Sequence, residues 1–480
     1  MFKRHSRAAA SRALLNRRRF LKTMAAASVA GSGLGAVNGK LGLIGNALAA
    51  TGDYVGLSDY KALVCVFLYG GSDSFNMFVP TDDALFQQYL ASRGSLSVAE
   101  GSLLLPTTDV GFGFNQFMPR TKALFDAGQL AVVSNVGNLI EPVINKSAYT
   151  DIETAIPADL FAHNHQQEQW QKGLSSLPSS LVNSGWGGRM ADLLQEANGA
   201  ATLPPTFSLF GSNHWLPGSS TTPLSVNRIN GLEQIAFMNR QSASQEARAN
   251  ALSQILSLPY SHIIEQQVAQ DALRSINSAD QLIAALDGAT EITTPYDSSS
   301  RLGKQLRMVA RLMQSRQALG MNRQIFFVGL GGWDTHDNQG VRLDSLLREL
   351  DTSLADFQNT VDALGLSDSV TTFTASDFGR TLSVNGDGSD HGWGGHYLVM
   401  GGAVDGGRLY GSLPSFVTGA DDDADDKGRV IPRLSVNQMG ASLGGWLGLS
   451  ESDLQDIFPD LANFGSGWQD PVRFFGSPPA

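Results

Sequence analysis

A single cysteine, Cys65, stands in 480 residues, so no disulfide can cross-link the chain internally and a packed core has to carry the fold. Cys65 lies in the apolar run Ala62–Leu68 beside valines, which makes it a small buried core residue rather than a nucleophile. A long hydrophobic run is also missing. The apolar stretch Met24 to Ala36 is diluted with Gly and Ser, and Lys40 follows it, so it is too short and too broken to span a bilayer. Neither a long internal repeat nor a dinucleotide-type glycine fingerprint is present, and the latter, with the lone cysteine, argues against a redox-cofactor protein. Acidic residues are absent from positions 1–49, which hold nine Lys or Arg.

That basic segment has the layout of an export signal. Asn16-Arg17-Arg18-Arg19-Phe20-Leu21-Lys22 precedes the weakly apolar stretch, and Ala47-Leu48-Ala49 offers a small-x-small cleavage site. The pattern is that of a twin-arginine signal over residues 1–49, with the translocase as partner and a periplasmic or secreted destination. Of the 34 Lys and Arg, 25 remain after its removal, against 45 Asp and Glu, a net charge of −20. Such a surface repels nucleic acid and anionic membrane, and no stable membrane span is expected after cleavage. An anionic substrate then needs a local positive focus.

Residues 50–480 are expected to form a single α/β domain. Strands are predicted at Lys61–Tyr69, Leu130–Asn135, Gln324–Leu330, Ser369–Ala375 and Tyr397–Gly401, short and continuously apolar as buried strands are. A shorter strand is expected at Thr206–Phe210. Helices are predicted at Pro119–Ala127, Phe161–Lys172, Gly188–Ala197, Arg301–Leu319, Arg342–Leu364, Val436–Leu447 and Ser450–Ile457, with a helical insertion around 230–320 that Pro259 interrupts. Strand alternating with helix is the grammar of a sheet wound between helix layers, whose sites lie beyond the strands' C-terminal ends. Asp73, Asp334, His336 and Asp377 all fall just after predicted strands.

The chemistry-bearing residues concentrate in a few short motifs. Only eight histidines occur, and three of them sit in Gly331-Gly332-Trp333-Asp334-Thr335-His336 and Asp390-His391-Gly392-Trp393-Gly394-Gly395-His396. Imidazoles and carboxylates are the usual ligands of divalent metals. In an extended segment Asp334 and His336, two apart, face one side and can reach one ion; the plain alternative is a turn Asp and a surface His. Asp73 follows a strand and a Gly pair, where it can ligate a metal or cap the next turn. Asp377 and Arg380 close another strand, as a metal ligand and an oxyanion clamp or as an ion pair holding a loop. His391 and His396 lie in a Gly-rich loop, one to ligate and the other to act as an acid. His163 and His165 open a helix, at an anion site or at the surface. The acidic run Asp421–Asp426 reads as a solvated surface loop, because a calcium loop would alternate its ligands around a central Gly.

Leu68-Tyr69-Gly70-Gly71-Ser72-Asp73-Ser74-Phe75-Asn76, Asn164 to Trp170, the Gly-Gly-Trp-Asp-Thr-His segment, Asp377-Phe378-Gly379-Arg380-Thr381 and Asp390 to His396 together resemble the bacterial family known as domain of unknown function 1501, over nearly the whole mature chain. That family resembles the alkaline phosphatase and sulfatase superfamily. The resemblance implies an alkaline-phosphatase-like central mixed, mostly parallel sheet sandwiched between helices, with one or two divalent ions (Zn, Mg, Mn or Ca) at the strand ends. It implies Asp73, Asp334, His336, Asp377 and His396 as metal ligands. Phe378 stands where the superfamily usually has a His ligand, so one metal position is expected to be oxygen-rich or lost, and oxygen-rich sites favour Mg, Mn or Ca over Zn. Ala162 stands where relatives often carry Ser, and no nucleophile stands out. The expected function is an exported hydrolase of a phosphate or sulfate ester, using metal-activated water. Arg380 would clamp the oxyanion and His391 or His163 would protonate the leaving group; the substrate would be an anionic small-molecule or glycan ester. The alternative is an exported binding or surface-assembly protein that keeps the fold without catalysis.

Overall fold

Strand β1 (Lys61–Tyr69) is buried on both sides: Ala62, Val64, Val66 and Leu68 enter one core and Leu63, Cys65 and Phe67 the other, as the two-residue period of a strand requires. The structure is a computed structural model that describes residues 54–173, 183–226 and 242–476. The expected export segment and residues 230–241 of the expected insertion lie outside the described residues. The remaining strands are β2 (Phe78–Pro80), β3 (Phe112–Phe114), β4 (Leu130–Gly137), β5 (Thr206–Ser208), β6 (Leu224–Ser225), β7 (Arg323–Gly331), β8 (Val370–Ser376), β9 (Arg380–Asn385), β10 (Gly388–His391), β11 (Gly395–Met400), β12 (Leu409–Tyr410) and β13 (Leu434–Ser435).

The main sheet runs β12-β4-β11-β8-β1-β7-β5-β6, with β13 also on β4. Its pairings are parallel except the two made by β11, which runs against β4 and β8. This is the mixed, mostly parallel sheet between helices that the family resemblance implies, and the strand–helix alternation is that of a wound α/β sheet. On one face the helix Gln339–Ala363 lays down Leu343, Leu347, Leu350, Leu354, Phe357 and Val361, and Arg301–Gln314 adds Leu302, Leu306, Val309 and Met313. The three- and four-residue spacing makes each set a single stripe. On the other face Trp186–Leu194 and Val436–Leu447 pack around Trp170, Trp186 and Trp215. Helix Arg301–Gln314 thus covers the sheet, while Ala243–Leu256 and Ile263–Asp287 precede it. The expected continuous helix to Leu319 breaks at Ser315, whose hydroxyl donates to the Arg311 and Ala285 carbonyls, a local bond that competes with the helical ladder.

The acidic run is a correction. Asp423 is buried and accepts from the backbone N–H groups of Gly419, Gly428 and Arg429, while Asp422 accepts from Ser415 N–H. These carboxylates fold the loop by satisfying its backbone donors; they are not a free face. Among the described residues no helix is long and apolar enough to cross a membrane.

What positions the site is the level ending of three neighbouring strands. Tyr69 of β1 pairs with Gly331 of β7, and Leu68 with Ser376 of β8. The residues that follow therefore leave the sheet at one rim: Gly70 to Asp73, Gly332 to His336, and Asp377 to Arg380. Gly70 has φ +120, and a Cβ there would lie 2.3 Å from the Asp334 backbone nitrogen. Only glycine fits, by both conformation and space. Gly70→Ala is expected to lower stability by roughly 2–3 kcal/mol in urea unfolding and to displace the Asp334 loop. A midpoint equal to that of the unaltered protein would refute this account of the rim.

Candidate metal centre

Four side chains from three distant stretches of chain meet at that rim. Asp334 and His336 come from the turn after β7, His391 from the end of β10, and His163 from the first residue of the helix His163–Lys172. Asp334 Oδ1 lies 3.0 Å from His336 Nε2 and 3.4 Å from His391 Nε2, and Asp334 Oδ2 lies 3.5 Å from His163 Nε2. His336 Nε2 and His391 Nε2 are 2.9 Å apart. His163, Asp334 and His391 each bring one ligand atom within 4.8 Å of the others, a grouping able to hold a metal ion. The side chains of Asp334 and His336 are 45% and 42% exposed, so the cluster opens to solvent.

The hydrogen bonds behind the rings decide where their protons sit. His391 Nδ1 faces the Phe161 carbonyl at 2.7 Å. A carbonyl only accepts, so Nδ1 carries the proton and the neutral ring bares its lone pair at Nε2. His163 Nδ1 faces Asp377 Oδ2 at 2.7 Å, so that ring too bares Nε2; His336 has a carboxylate oxygen at each nitrogen, Asp390 Oδ1 3.2 Å from Nδ1 and Asp334 Oδ1 3.0 Å from Nε2. His163 Nε2 is buried without a hydrogen-bond partner. Two imidazole lone pairs and a carboxylate thus converge, with His336 Nε2 beside them, an arrangement that repels itself unless a proton or a cation sits among them. Ligands about 2.0–2.1 Å from a zinc-like ion lie about 3.0 Å apart in an octahedron and about 3.4 Å apart in a tetrahedron. The contacts that the two Asp334 oxygens make with the imidazoles run from 3.0 to 3.5 Å, close to that range, so His163, Asp334 and His391 fit a divalent ion, with His336 beside them.

Each donor is steered from outside. Asp377 is buried; its Oδ1 accepts from Gly70 N–H, and its Oδ2 from Gln167 Nε2 at 2.7 Å as well as from His163. With both oxygens committed it orients His163, as carboxylates behind metal-binding histidines do. The Phe161 carbonyl is set by φ +72 at that residue, a conformation rare for bulky side chains, and Arg429 stacks on its ring 4.0 Å from the centroid. The Phe378 ring lies 4.9 Å from His163 and 4.7 Å from His391, centroid to centroid, walling the histidines on one side. The hydrogen bond that His163 donates to Asp377 raises the His163 pKa, while burial lowers that of His391. Burial pushes the Asp334 carboxyl up, but its hydrogen bond and charge contact with Arg380 outweigh this and hold it below the usual range. Asp390 is held down chiefly by its hydrogen bond from Asn385.

The other expected site residues lie outside this convergence. Asp73 is buried against Arg93 and Gln339, and burial raises its pKa despite Arg93 and Arg380. Arg380 directs its guanidinium to Asp334 at 2.8 Å, to the Gly70 carbonyl at 3.2 Å and to Ser389, and it is wholly buried, so it braces Asp334 rather than reaching outward. His396 is buried beside Phe75 and Phe78. Its Nδ1 accepts from Asn135 N–H at 3.0 Å, and burial pulls its pKa down to about 3. His165 pairs with Asp159. Arg93, Gln339, Gln167, Asp390 and the Phe161 carbonyl were not foreseen from sequence. Asp390, beside His391, is the one that motif proximity could have marked.

A family profile described as "Protein of unknown function (DUF1501)" matches residues 60–427. The chain belongs to this family. No curated protein matches the chain. Among solved structures it is similar to the lipoteichoic acid synthase LtaP from Listeria monocytogenes (8% identity, 87% of this chain and 81% of that one, TM-score 0.38). It is also similar to the PsFucS1 sulfatase from Pseudoalteromonas sp. (8%, 86% and 72%, TM-score 0.32) and to wild-type alkaline phosphatase PafA (12%, 67% and 63%, TM-score 0.28). Overlaps this loose carry no argument about chemistry, which rests on the chain's own side chains.

Two outcomes are expected. Asp377→Asn loses the carboxylate that fixes the His163 tautomer, so Zn²⁺ or Co²⁺ affinity by titration calorimetry falls about 10–100-fold with the circular dichroism spectrum unchanged; equal affinity would refute the orienting role. His396 binds its proton in the unfolded chain near the ordinary value of 6.5 but in the folded chain only near 3. Its contribution is therefore complete above pH 6.5 and is lost as pH falls below it, at about 1.4 kcal/mol per unit. His396→Gln should flatten that acid limb of the stability profile.

Proposed function

We propose that this DUF1501 protein is a metal-dependent hydrolase of a phosphate or sulfate ester. The reading is carried by the convergence of the bare Nε2 atoms of His163 and His391 on the Asp334 carboxylate at an open rim, with His336 Nε2 beside them. His163, Asp334, His336 and His391 hold one divalent ion. With three nitrogen donors the set favours a zinc-like first-row ion over Mg or Ca, unlike the oxygen-rich site that Phe378 implied. When bound, such an ion polarises an ester oxygen and makes water a stronger nucleophile.

The chain's own residues do the rest. Asp377 and the Phe161 carbonyl hold the Nδ1 protons of His163 and His391 and so aim those rings. Arg380 fixes the Asp334 rotamer and offsets its charge, and Phe378 excludes water from one flank of the histidines. No protein nucleophile is required, which accords with Ala162 opening onto His163 without a side-chain oxygen. The proposal includes export through the twin-arginine translocase to the periplasm or beyond, on the strength of the Arg17-Arg18-Arg19 segment, and an anionic small-molecule or glycan ester as substrate.

Purified protein should carry close to one equivalent of a first-row metal by elemental analysis and should hydrolyse activated aryl phosphate or sulfate esters. Asp334→Ala and His391→Ala should each cut turnover by about 100-fold or more while the protein still folds. No bound metal, and no turnover after reconstitution with Zn²⁺, Co²⁺ or Mn²⁺, would remove the reading.

A further inference from the structure

The charge at the rim limits what this centre can accept. Three carboxylates touch the cluster's imidazoles: Asp334 directly, Asp377 through His163 Nδ1 and Asp390 through His336 Nδ1. One guanidinium, Arg380, meets Asp334. With neutral histidines, three negative charges against one positive leave −2, which a single divalent ion cancels. An anion with two charges would then need extra cationic arms, and the guanidinium groups at hand are already committed.

Arg380 and Arg93 have side chains that are 0% exposed. Arg93 gives its terminal nitrogens to the Thr381 carbonyl and to Asp73. Arg429 donates Nε to the His391 carbonyl at 2.9 Å and NH1 to Asp425 at 2.6 Å, with its flat face on Phe161. Beyond His336, Arg342 NH1 is 3.3 Å from Asp337. Arg380, Arg93 and Arg429 are thus spent on their neighbours, and Arg342, 41% exposed, pairs with Asp337, whereas the non-bridging oxygens of a dianion would need free guanidinium donors.

We infer that the centre selects a tetrahedral anion of single charge, a sulfate monoester or a phosphodiester, over a dianionic phosphate monoester. This rests on the hydrolase reading above and narrows its substrate. In the reaction, water oxygen bonds to sulfur or phosphorus as the bond to the ester oxygen breaks. The alcohol oxygen leaves with that electron pair and takes one proton of the water, and the other proton passes to solvent.

The test has a binding arm and a turnover arm, both on the metal-loaded protein at pH 8. By titration calorimetry, methyl sulfate and dimethyl phosphate should each bind at least about tenfold tighter than methyl phosphate. In turnover, 4-nitrophenyl sulfate or bis(4-nitrophenyl) phosphate should exceed 4-nitrophenyl phosphate in kcat/KM by about 100-fold, and which of the two leads separates sulfate ester from phosphodiester. Asp390→Asn removes one charge from the rim, and should narrow the gap about tenfold. Tighter binding or faster turnover of the phosphate monoester would overturn the inference while leaving the hydrolase reading intact. Absence of turnover on all three esters would overturn the hydrolase reading instead, and the binding order then still decides the charge preference. If the variant fails to fold, the wild-type binding order alone decides it.

Discussion

The hydrogen bond between Asp377 and His163 Nδ1 is the contact on which the reading of this molecule turns. It spans 214 positions of sequence and ties the helix His163–Lys172 to the end of β8. Without it His163 could place its proton on either nitrogen, and its Nε2 would have no reason to be bare. The same logic repeats where the Phe161 carbonyl meets His391. An acceptor behind each of these two rings sets the tautomer, and the tautomer decides whether the front of the ring attracts a cation or a hydrogen-bond acceptor.

The register of the central strands is what brings these acceptors to one place. β1, β7 and β8 end level, so three carboxylates leave at one edge, but they divide their work. Asp334 stays half open and faces the imidazoles. Asp377 is buried and faces the back of one ring. Asp73 is just as buried but is spent on Arg93 and Gln339. Burial sets Asp334 apart from the other two, and the partners within reach set Asp73 apart from Asp377.

Much of the fold was legible. β1 was bounded in sequence to the residue, and so was the helix Val436–Leu447, because continuous apolar runs and stripes of helical period reflect burial directly. The pairing of Asp334 with His336 was legible too, since two residues apart in an extended turn puts both on one side. The ribbon β9–β10 was not, although it carries Arg380 and His391 opposite one another; its polar, Gly-broken sequence hides an alternating pattern. The commitments of Arg380 and His396 were equally hidden. A motif shows that an arginine or histidine is near a site, but whether its donors are already used depends on partners far away in the chain, such as the Gly70 carbonyl and the Asn135 amide.

The ligand atoms we propose belong to residues 163, 334, 336 and 391, gathered from early, middle and late parts of the chain. A cation gripping all of them would act as a cross-link closing two long loops at once, and such closures restrict the unfolded ensemble most when the loops are long. Ion occupancy would then be felt mechanically as well as chemically: stripping the ion frees the early helix from the late ribbon, so proteases and exchanging amides would detect the empty state first at that seam, well before the central strands loosen.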